Sequence, residues 1–167
     1  MMDQAGFRRF YQETAPALRA YIARGTGSTH TADDILQDVF VRFLVKAPRT
    51  LDAAGMRGYL YRTAETLIVD RWRRRKREGE RDLQAAELRS EHVHPDCDDV
   101  DRAFRELKAE QRWLLWLAYV EEFDHRQIAA ATGVKEKSVR VLLSRARKAF
   151  AGVLDRLGLR PETANVD

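Results

Sequence analysis

Cationic and aromatic side chains are interleaved along the stretch RGYLYRTAETLIVDRWRRRKR, which runs from Arg57 to Arg77. Aromatic rings can stack on unpaired nucleic-acid bases, while arginine and lysine follow the phosphate backbone. The mixture therefore predicts a surface for single-stranded nucleic acid. Its candidate residues are Arg57, Tyr59, Tyr61, Arg62, Arg71, Trp72, Arg73, Arg74 and Arg75. Tyr59 and Trp72 suit a hydrophobic core equally well, so both placements stay open for them.

A helix-turn-helix pattern occupies FDHRQIAAATGVKEKSVRVLLSRARKAF, from Phe123 to Phe150. Asp124 is a suitable N-cap for a short helix, and Gly133 is suited to the tight turn that follows it. If the apolar face of the second helix is buried, its other face meets the major groove of a duplex. That face carries Lys137, Arg140, Val141, Ser144, Arg145 and Lys148. The alternative is an amphipathic helix whose cations only contact solvent.

A third pattern is ADDILQDVFVRFL, in which polar and apolar residues separate onto two faces of one helix. Ile35, Val39 and Phe43 form the apolar face. Asp34, Gln37, Asp38 and Arg42 form the polar face. By itself this pattern is typical of any amphipathic surface helix.

The helices that carry these patterns follow from helical spacing of apolar residues along nearly the whole chain, which predicts an all-α fold. We expect helices over 7–24 and 56–77, with one between them that has Thr31 as its N-cap and stops before Pro48. Pro16 is expected to kink or split the first helix. Four more are expected over 100–107, 109–120, 125–132 and 136–157.

Charge divides the 167-residue chain into three parts. Residues 1–77 have a net charge of +7, residues 78–99 of −6, and residues 100–167 of +3. Two basic blocks therefore flank an acidic one, as expected if both blocks approach a polyanion. We expect a helical domain over 1–77, an acidic linker over 78–99, a helix-turn-helix domain over 100–160 and a tail over 161–167.

The order of these motifs resembles the extracytoplasmic-function (ECF) group of bacterial sigma factors. The resemblance covers roughly residues 7–157 and includes the acidic QD helix, the RGYLYRTAETLIVDRWRRR helix, the acidic linker and a helix-turn-helix that ends SRARKAF. It implies a subunit that binds core RNA polymerase and directs it to promoters, with no catalytic activity and no cofactor.

The resemblance also implies a role for each pattern. Asp34, Gln37, Asp38, Phe40 and Arg42 would dock on the clamp coiled coil of the largest polymerase subunit. The helix over 57–77, including Thr66, would open the minus-ten element and hold flipped bases, and the loop over 48–55 would help form a base pocket. Residues 135–148, including Lys135 and Ser138, would contact the minus-thirty-five element. The polymerase flap and an anti-sigma factor are further implied partners.

The sequence gives less support to metal binding, to catalysis and to other kinds of nucleic-acid binding. His92, His94 and Cys97 form an H-x-H-x-x-C cluster that would need a fourth ligand to hold zinc, so no metal is expected. No phosphate-binding loop or nucleophile elbow is present in the sequence. The single cysteine and the absence of a long apolar run predict a cytoplasmic protein. The main alternative is a dimeric helix-turn-helix regulator of duplex DNA, and a third is an RNA-binding adaptor.

Overall fold

The computed structural model describes residues 2–79 and 98–159, which form seven α-helices and no strand within these ranges. The helices are α1 (Gln4–Thr26), α2 (Thr29–Lys46), α3 (Ala53–Gly79), α4 (Asp98–Glu106), α5 (Ala109–Tyr119), α6 (His125–Thr132) and α7 (Glu136–Arg156). The all-α prediction is confirmed. The acidic linker, with His92, His94 and Cys97, and the tail lie largely or wholly outside the described residues.

Helix α1 is longer than predicted at both ends, because it begins at Gln4 and continues through Gly25 to Thr26, with Gly27 as its C-cap. Gly27 has φ of 72°, a left-handed conformation that glycine adopts without steric cost. Gly25 stays helical because it lies against α3, where a Cβ would be 3.0 Å from Cδ1 of Ile68. Pro16 lies inside α1 without dividing the helix, so of the kink or split expected there, the split does not occur.

The start of α2 also differs from the prediction. Ser28, rather than Thr31, is the N-cap, and its hydroxyl accepts a hydrogen bond from the Thr31 backbone N–H at 3.2 Å. Thr31 is buried in the first turn, where its Oγ1 accepts a hydrogen bond from Arg71 of α3. The sequence S-T-H-T offers several capping hydroxyls, and this tertiary contact favours the earlier start.

The N-terminal domain is a bundle of α1, α2 and α3 around a continuous apolar core. Leu18 and Ile22 of α1 meet Val39 of α2 and Ile68 of α3, and all four side chains are almost fully buried. Helix α3 begins earlier than predicted because Asp52 Oδ1 accepts a hydrogen bond from the Gly55 N–H at 2.7 Å. The predicted loop before α3 is therefore shorter at its C-terminal end.

The C-terminal domain consists of α4 to α7, with α7 packed against α4, α5 and α6. Asp124 and Gln127 form a reciprocal capping box at the start of α6, and Gly133 ends it with φ of 76°. Ile128 of α6 and Val139 and Leu143 of α7 fill the space between these two helices. The predicted helix-turn-helix is confirmed, including the bounds of its first helix.

The two domains pack directly on one another. Tyr21 of α1 and Tyr61 of α3 form an aromatic cluster with Phe104 of α4 and Trp116 of α5, in which Tyr21 is 5.1–5.9 Å from each of the other three rings. All four side chains are buried. Helix α3 also contacts α6 along its N-terminal half. The apolar core is therefore continuous between the two domains.

Candidate nucleic-acid interface

The predicted cationic and aromatic surface lies on α3, but its two halves have different surroundings. Arg73, Arg74 and Arg75, together with the rest of the basic run up to Arg77, are exposed to solvent. The N-terminal half, from Arg57 to Glu65, faces the C-terminal domain instead. Both halves belong to one helix, but the C-terminal half is open to a ligand, whereas the N-terminal half is largely covered and exposes mainly Arg62.

Tyr61 and Arg57 share one carboxylate of the C-terminal domain. Glu121, in the loop after α5, accepts a hydrogen bond from the Tyr61 hydroxyl at 2.5 Å and pairs with Arg57 Nη1 at 2.7 Å. Tyr61 is 2% exposed, and the Glu121 side chain is 6% exposed. Burial, and secondarily the Glu121 charge, raises the pKa of Tyr61 far above its usual range. The phenol is therefore a neutral donor.

The neighbouring residues of α3 contact α6. Arg62 donates a hydrogen bond to the Thr132 carbonyl oxygen at 3.0 Å, and its guanidinium lies 5.6 Å from the centroid of the Trp113 ring. Gly58 permits a close approach, because a Cβ at this position would lie 2.3 Å from the carbonyl oxygen of Ala131. The α3 backbone therefore rests against the α6 backbone at this point.

The remaining candidates on α3 are divided between core and surface. Tyr59 is partly buried and its ring packs on Phe43 of α2, with 6.0 Å between the ring centroids. Trp72 is 46% exposed, and its indole N–H donates to the Gly25 carbonyl oxygen at 3.1 Å. Arg71 reaches Thr31, and Thr66 is exposed with its hydroxyl bonded to the Arg62 carbonyl. Trp72 therefore has a free surface available to a ligand, whereas Tyr59 packs on the core.

The exposed face of α7 presents the side chains that the sequence assigned to it. Arg140, Arg145 and Lys148 are exposed, as are Lys135 and Lys137 near the N-terminus of the helix. Val141 is 51% exposed between them, and Ser138 and Ser144 are partly buried at the margin. The buried face of the same helix carries Val139, Leu143, Ala146 and Val153. The arrangement gives one cationic face on a helix that is firmly seated on α5 and α6.

The polar face of α2 is also exposed, at Asp34, Gln37, Asp38 and Arg42. Phe40 lies elsewhere: it is 5% exposed and packs on Phe7 and Tyr11 of α1. The sequence patterns did not predict that Val41, Leu44 and Val45 are exposed next to this polar face, with Val45 at 74%. Three neighbouring apolar side chains that are mostly exposed are typical of a protein contact. Leu44 and Val45 follow Val41 by three and four residues, a spacing that predicts one common apolar patch on the helix.

Two family models match this chain. Residues 10–78 match the family described as Sigma-70 region 2, and residues 97–150 match Sigma-70, region 4. The chain belongs to the sigma-70 family of RNA polymerase sigma factors. A sigma factor binds core RNA polymerase and directs promoter-specific initiation of transcription. The match to both sigma regions does not favour the alternative of a free-standing regulator.

Curated relatives, matched over most of their length, place the chain in the extracytoplasmic-function (ECF) group of this family. The chain is 28% identical over 165 residues to the ECF RNA polymerase sigma factor SigL of Mycobacterium tuberculosis, covering 94% of this chain and 93% of the relative. It is 26% identical over 159 residues to the ECF sigma factor SigF of Caulobacter vibrioides, covering 89% and 86%.

A solved structure has a similar fold. The co-crystal structure of the sigma factor RpoE with the anti-sigma factor NepR, from Bartonella quintana, matches with a TM-score of 0.63 at 22% identity. The match covers 89% of this chain and 96% of the RpoE chain. The similarity therefore includes both helical domains.

A buried ion pair joins the two domains of this sigma factor. Arg112 of α5 reaches Glu65 of α3 with Nη2 to Oε2 at 3.0 Å, and both side chains are less than 9% exposed. The Tyr21 hydroxyl donates a hydrogen bond to the same carboxylate. Burial alone would lower the pKa of Arg112, but the hydrogen bond and charge of Glu65 outweigh it and raise that pKa. Burial and the Glu65 charge raise the pKa of Tyr21 well above its usual value.

An apolar groove lies between α4, α5 and α7 of the sigma factor, with a volume of about 430 Å³. Its apolar lining includes Phe104, Leu115 and Phe150, and Arg24 and Arg147 lie at its margin. Tyr119 and Val120, which also line it, are 59% and 48% exposed. Such a groove suits an apolar segment of another protein.

Residues 2–79 and 98–159 contain neither a metal-ligand cluster nor a membrane-spanning helix. No group of three metal-ligating side chains comes together there. Among the helices of the same ranges, none combines the length and the apolar character that a membrane span requires.

Proposed function

We propose that this sigma factor divides its work between two domains, residues 1–77 and 100–160, joined by the acidic segment between them. The first would dock on the polymerase and contact the minus-ten element, and the second would contact the minus-thirty-five element. The observation that carries this proposal is one chain with two cationic helices of different kinds. Helix α3 combines arginines with aromatic rings, whereas α7 exposes cations on a helix-turn-helix.

The polymerase-docking surface would be the exposed face of α2. Asp34, Gln37, Asp38 and Arg42 supply charge and hydrogen bonds, and the clamp coiled coil of the largest subunit is the partner proposed for them. We add Val41, Leu44 and Val45 to this surface, because an apolar centre with a polar rim is typical of protein interfaces. Phe40 would act indirectly, by holding α2 against α1.

The minus-ten surface would be the cationic and aromatic face of α3. The exposed basic run at Arg73, Arg74 and Arg75 would hold phosphates, and Trp72 would offer a ring to a base. Arg57, Tyr61, Arg62, Thr66 and Arg71 would complete the surface. The N-terminal part of this group needs the two domains to separate, since the C-terminal domain covers it in the closed arrangement.

The minus-thirty-five surface would be the exposed face of α7 and the turn before it. Arg140 and Arg145 would contact base edges or phosphates in the major groove. Lys135, Lys137, Ser138, Val141, Ser144 and Lys148 would line the same groove. The apolar groove between α4, α5 and α7 would receive the flap of the polymerase.

The remaining partners are also proposed. An anti-sigma factor would restrain this protein, which is supported by the complex that the RpoE relative forms with NepR. We propose a cytoplasmic location, because the polymerase and the promoters are there. We also propose that the chain has no catalytic activity of its own, since the polymerase performs the chemistry.

In-vitro transcription tests the function directly. Purified core RNA polymerase, with and without this chain, would be given a library of genomic fragments, and transcript starts would be sequenced. The expected result is a small set of new start sites that require the chain. If the chain binds core polymerase but produces no new start sites, the promoter-directing role is wrong for this protein.

A further inference from the structure

We propose that the closed arrangement of the two domains is an autoinhibited state, in which Glu121 occupies the groups of α3 that bind melted DNA. This inference rests on the function proposed above, because it requires Arg57 and Tyr61 to act on single-stranded DNA. It adds a control of that surface by the C-terminal domain of the same chain.

The chemistry of Glu121 supports this assignment. Its carboxylate is an anion that accepts a charge-assisted hydrogen bond from Arg57 at 2.7 Å and a hydrogen bond from Tyr61 at 2.5 Å. A DNA phosphate would offer the same negative oxygens to the same donors. Glu121 uses the Tyr61 hydroxyl and the Nη1 group of Arg57, so a strand cannot bind these two donors while the domains remain packed, although the Arg57 side chain is still 28% exposed.

The steric contacts close the same face. No atom fits between Gly58 and α6, where even a Cβ would lie 2.5 Å from Cα of Ala131. Next to this point Arg62 is held by the Thr132 carbonyl and the Trp113 ring. At Gly58, α3 is therefore covered by the backbone of α6, and at Arg57 and Tyr61 by the charge of Glu121, whereas Arg62 stays exposed at the edge of the contact.

The closed interface has features of a joint that can open. Glu65 and Arg112 are ionised groups removed from water, so their attraction is offset by lost hydration, which both regain when the domains separate. Interfaces between domains of one chain commonly allow relative motion, although the buried aromatic cluster around Tyr21 opposes separation here. Closure is also selective, because the basic run of α3 and the face of α7 remain exposed.

Closure should reduce binding of single strands in proportion to the fraction of closed molecules. A ligand that binds only the open form has an apparent affinity scaled by the open fraction. If about nine-tenths of the molecules are closed, full opening raises the affinity roughly tenfold. Binding of duplex DNA to α7 should change little.

The first test compares two neighbouring glutamates in the full-length chain. Glu121→Gln removes the charge that holds Arg57, whereas Glu122→Gln makes the same change in net charge at an exposed position. A fluorescently labelled single strand of mixed sequence and a duplex of mixed sequence serve as probes at one salt concentration. We expect Glu121→Gln to bind the single strand several-fold to tenfold more tightly than Glu122→Gln, with equal duplex binding.

The second test acts through the backbone contact. Gly58→Ala places a methyl group where the Ala131 backbone lies, while Gly152→Ala adds one on α7 where no atom lies within 4 Å. Both changes suit an isolated helix, so circular dichroism should report folded helices in each case. Small-angle X-ray scattering should show a larger radius of gyration for Gly58→Ala alone, together with tighter single-strand binding.

The outcomes separate this proposal from the proposed function. Tighter single-strand binding by Glu121→Gln or Gly58→Ala, relative to the matched control, supports autoinhibition. If neither variant exceeds its control, autoinhibition is wrong, even where the wild-type chain directs core polymerase to new start sites. If both variants bind single strands tightly but no variant redirects the polymerase, the promoter-directing function fails instead.

Discussion

Glu65 of α3 and Arg112 of α5 form an ion pair that crosses from one domain to the other and is largely shielded from bulk water. Arg112 also donates to the carbonyl oxygens of Arg105 and Leu107, so it ties the α4–α5 turn to α3. The pair has a dual role: it aligns the domains, and it makes their contact depend on both charges.

Replacement of Glu65 by glutamine should therefore loosen the domain contact. The change leaves Arg112 buried without a counter-charge, which typically costs about 3–5 kcal/mol in a closed structure. The chain can relieve part of this cost if the domains separate. We expect a lower free energy of unfolding in urea and a larger radius of gyration in solution.

Asp70→Asn is the matched control, because Asp70 is an exposed carboxylate on the same helix. Its ion pair with Arg73, at 3.9 Å, is long and open to solvent. An exposed substitution of this kind usually changes stability by less than about 0.5 kcal/mol. Equal stability and equal dimensions for the two variants would contradict the closed arrangement.

Two of the five tyrosines should resist ionisation at alkaline pH. Burial, and then the neighbouring glutamates, hold the pKa values of Tyr21 and Tyr61 above the usual value of about 10. Since the folded form keeps these protons, its stability is fully present below pH about 10 and falls as the pH rises further.

Tyrosinate absorbance during an alkaline titration measures this effect. The wild-type chain should show a late phase that coincides with loss of helical circular dichroism, and Tyr61→Phe should reduce the amplitude of that phase. A Tyr61→Phe chain with an unchanged late phase would show that the phenol is not buried as described.

Local signals made the C-terminal domain predictable from sequence. The pair Asp124 and Gln127 and the left-handed Gly133 fix both ends of α6 through contacts within a few residues. The exposed face of α7 followed from helical spacing alone, because its buried partners are the adjacent helices. The end of α1 and the start of α2 were predicted less accurately, since Gly25 and Thr31 are held by contacts with α3.

Contacts between the domains could not be predicted in the same way. Tyr61 has the local surroundings of a base-stacking residue, and its burial depends on Trp116 and Glu121, which lie 55 and 60 residues away in sequence. Glu121 itself belongs to an acidic loop with no periodic pattern. The role of such residues depends on how the two domains pack on one another, which helical spacing does not predict.

The exposed face of α2 should be required for assembly with the polymerase. Asp38→Arg reverses a charge, and Leu44→Ala removes an apolar side chain that is 62% exposed. Each should weaken binding to core polymerase by about 1–2 kcal/mol if it lies near the centre of the contact. Fluorescence titration of labelled chain with core polymerase measures the loss.

Asp70→Arg controls for the charge change, because Asp70 lies on α3 and away from the proposed docking surface. Neither α2 variant should alter the helical content, since both side chains lie outside the core. Affinity equal to that of wild type for both variants would remove α2 from the docking surface.

The face of α7 should determine preference for the minus-thirty-five element, and Arg140 tests it. Arg140→Ala should cost about 1–3 kcal/mol of promoter affinity if the guanidinium makes a bidentate contact with a base, and less if it meets only phosphate. Competition among promoter variants, with holoenzyme, distinguishes the two cases. Loss of a base contact relaxes the preference at one position, whereas loss of a phosphate contact weakens binding to all sequences equally and reduces the salt dependence of binding.

Arg102→Ala removes an exposed cation from α4 and should leave the preference unchanged. If the Arg140 and Arg102 variants behave alike, α7 does not enter the groove through this residue.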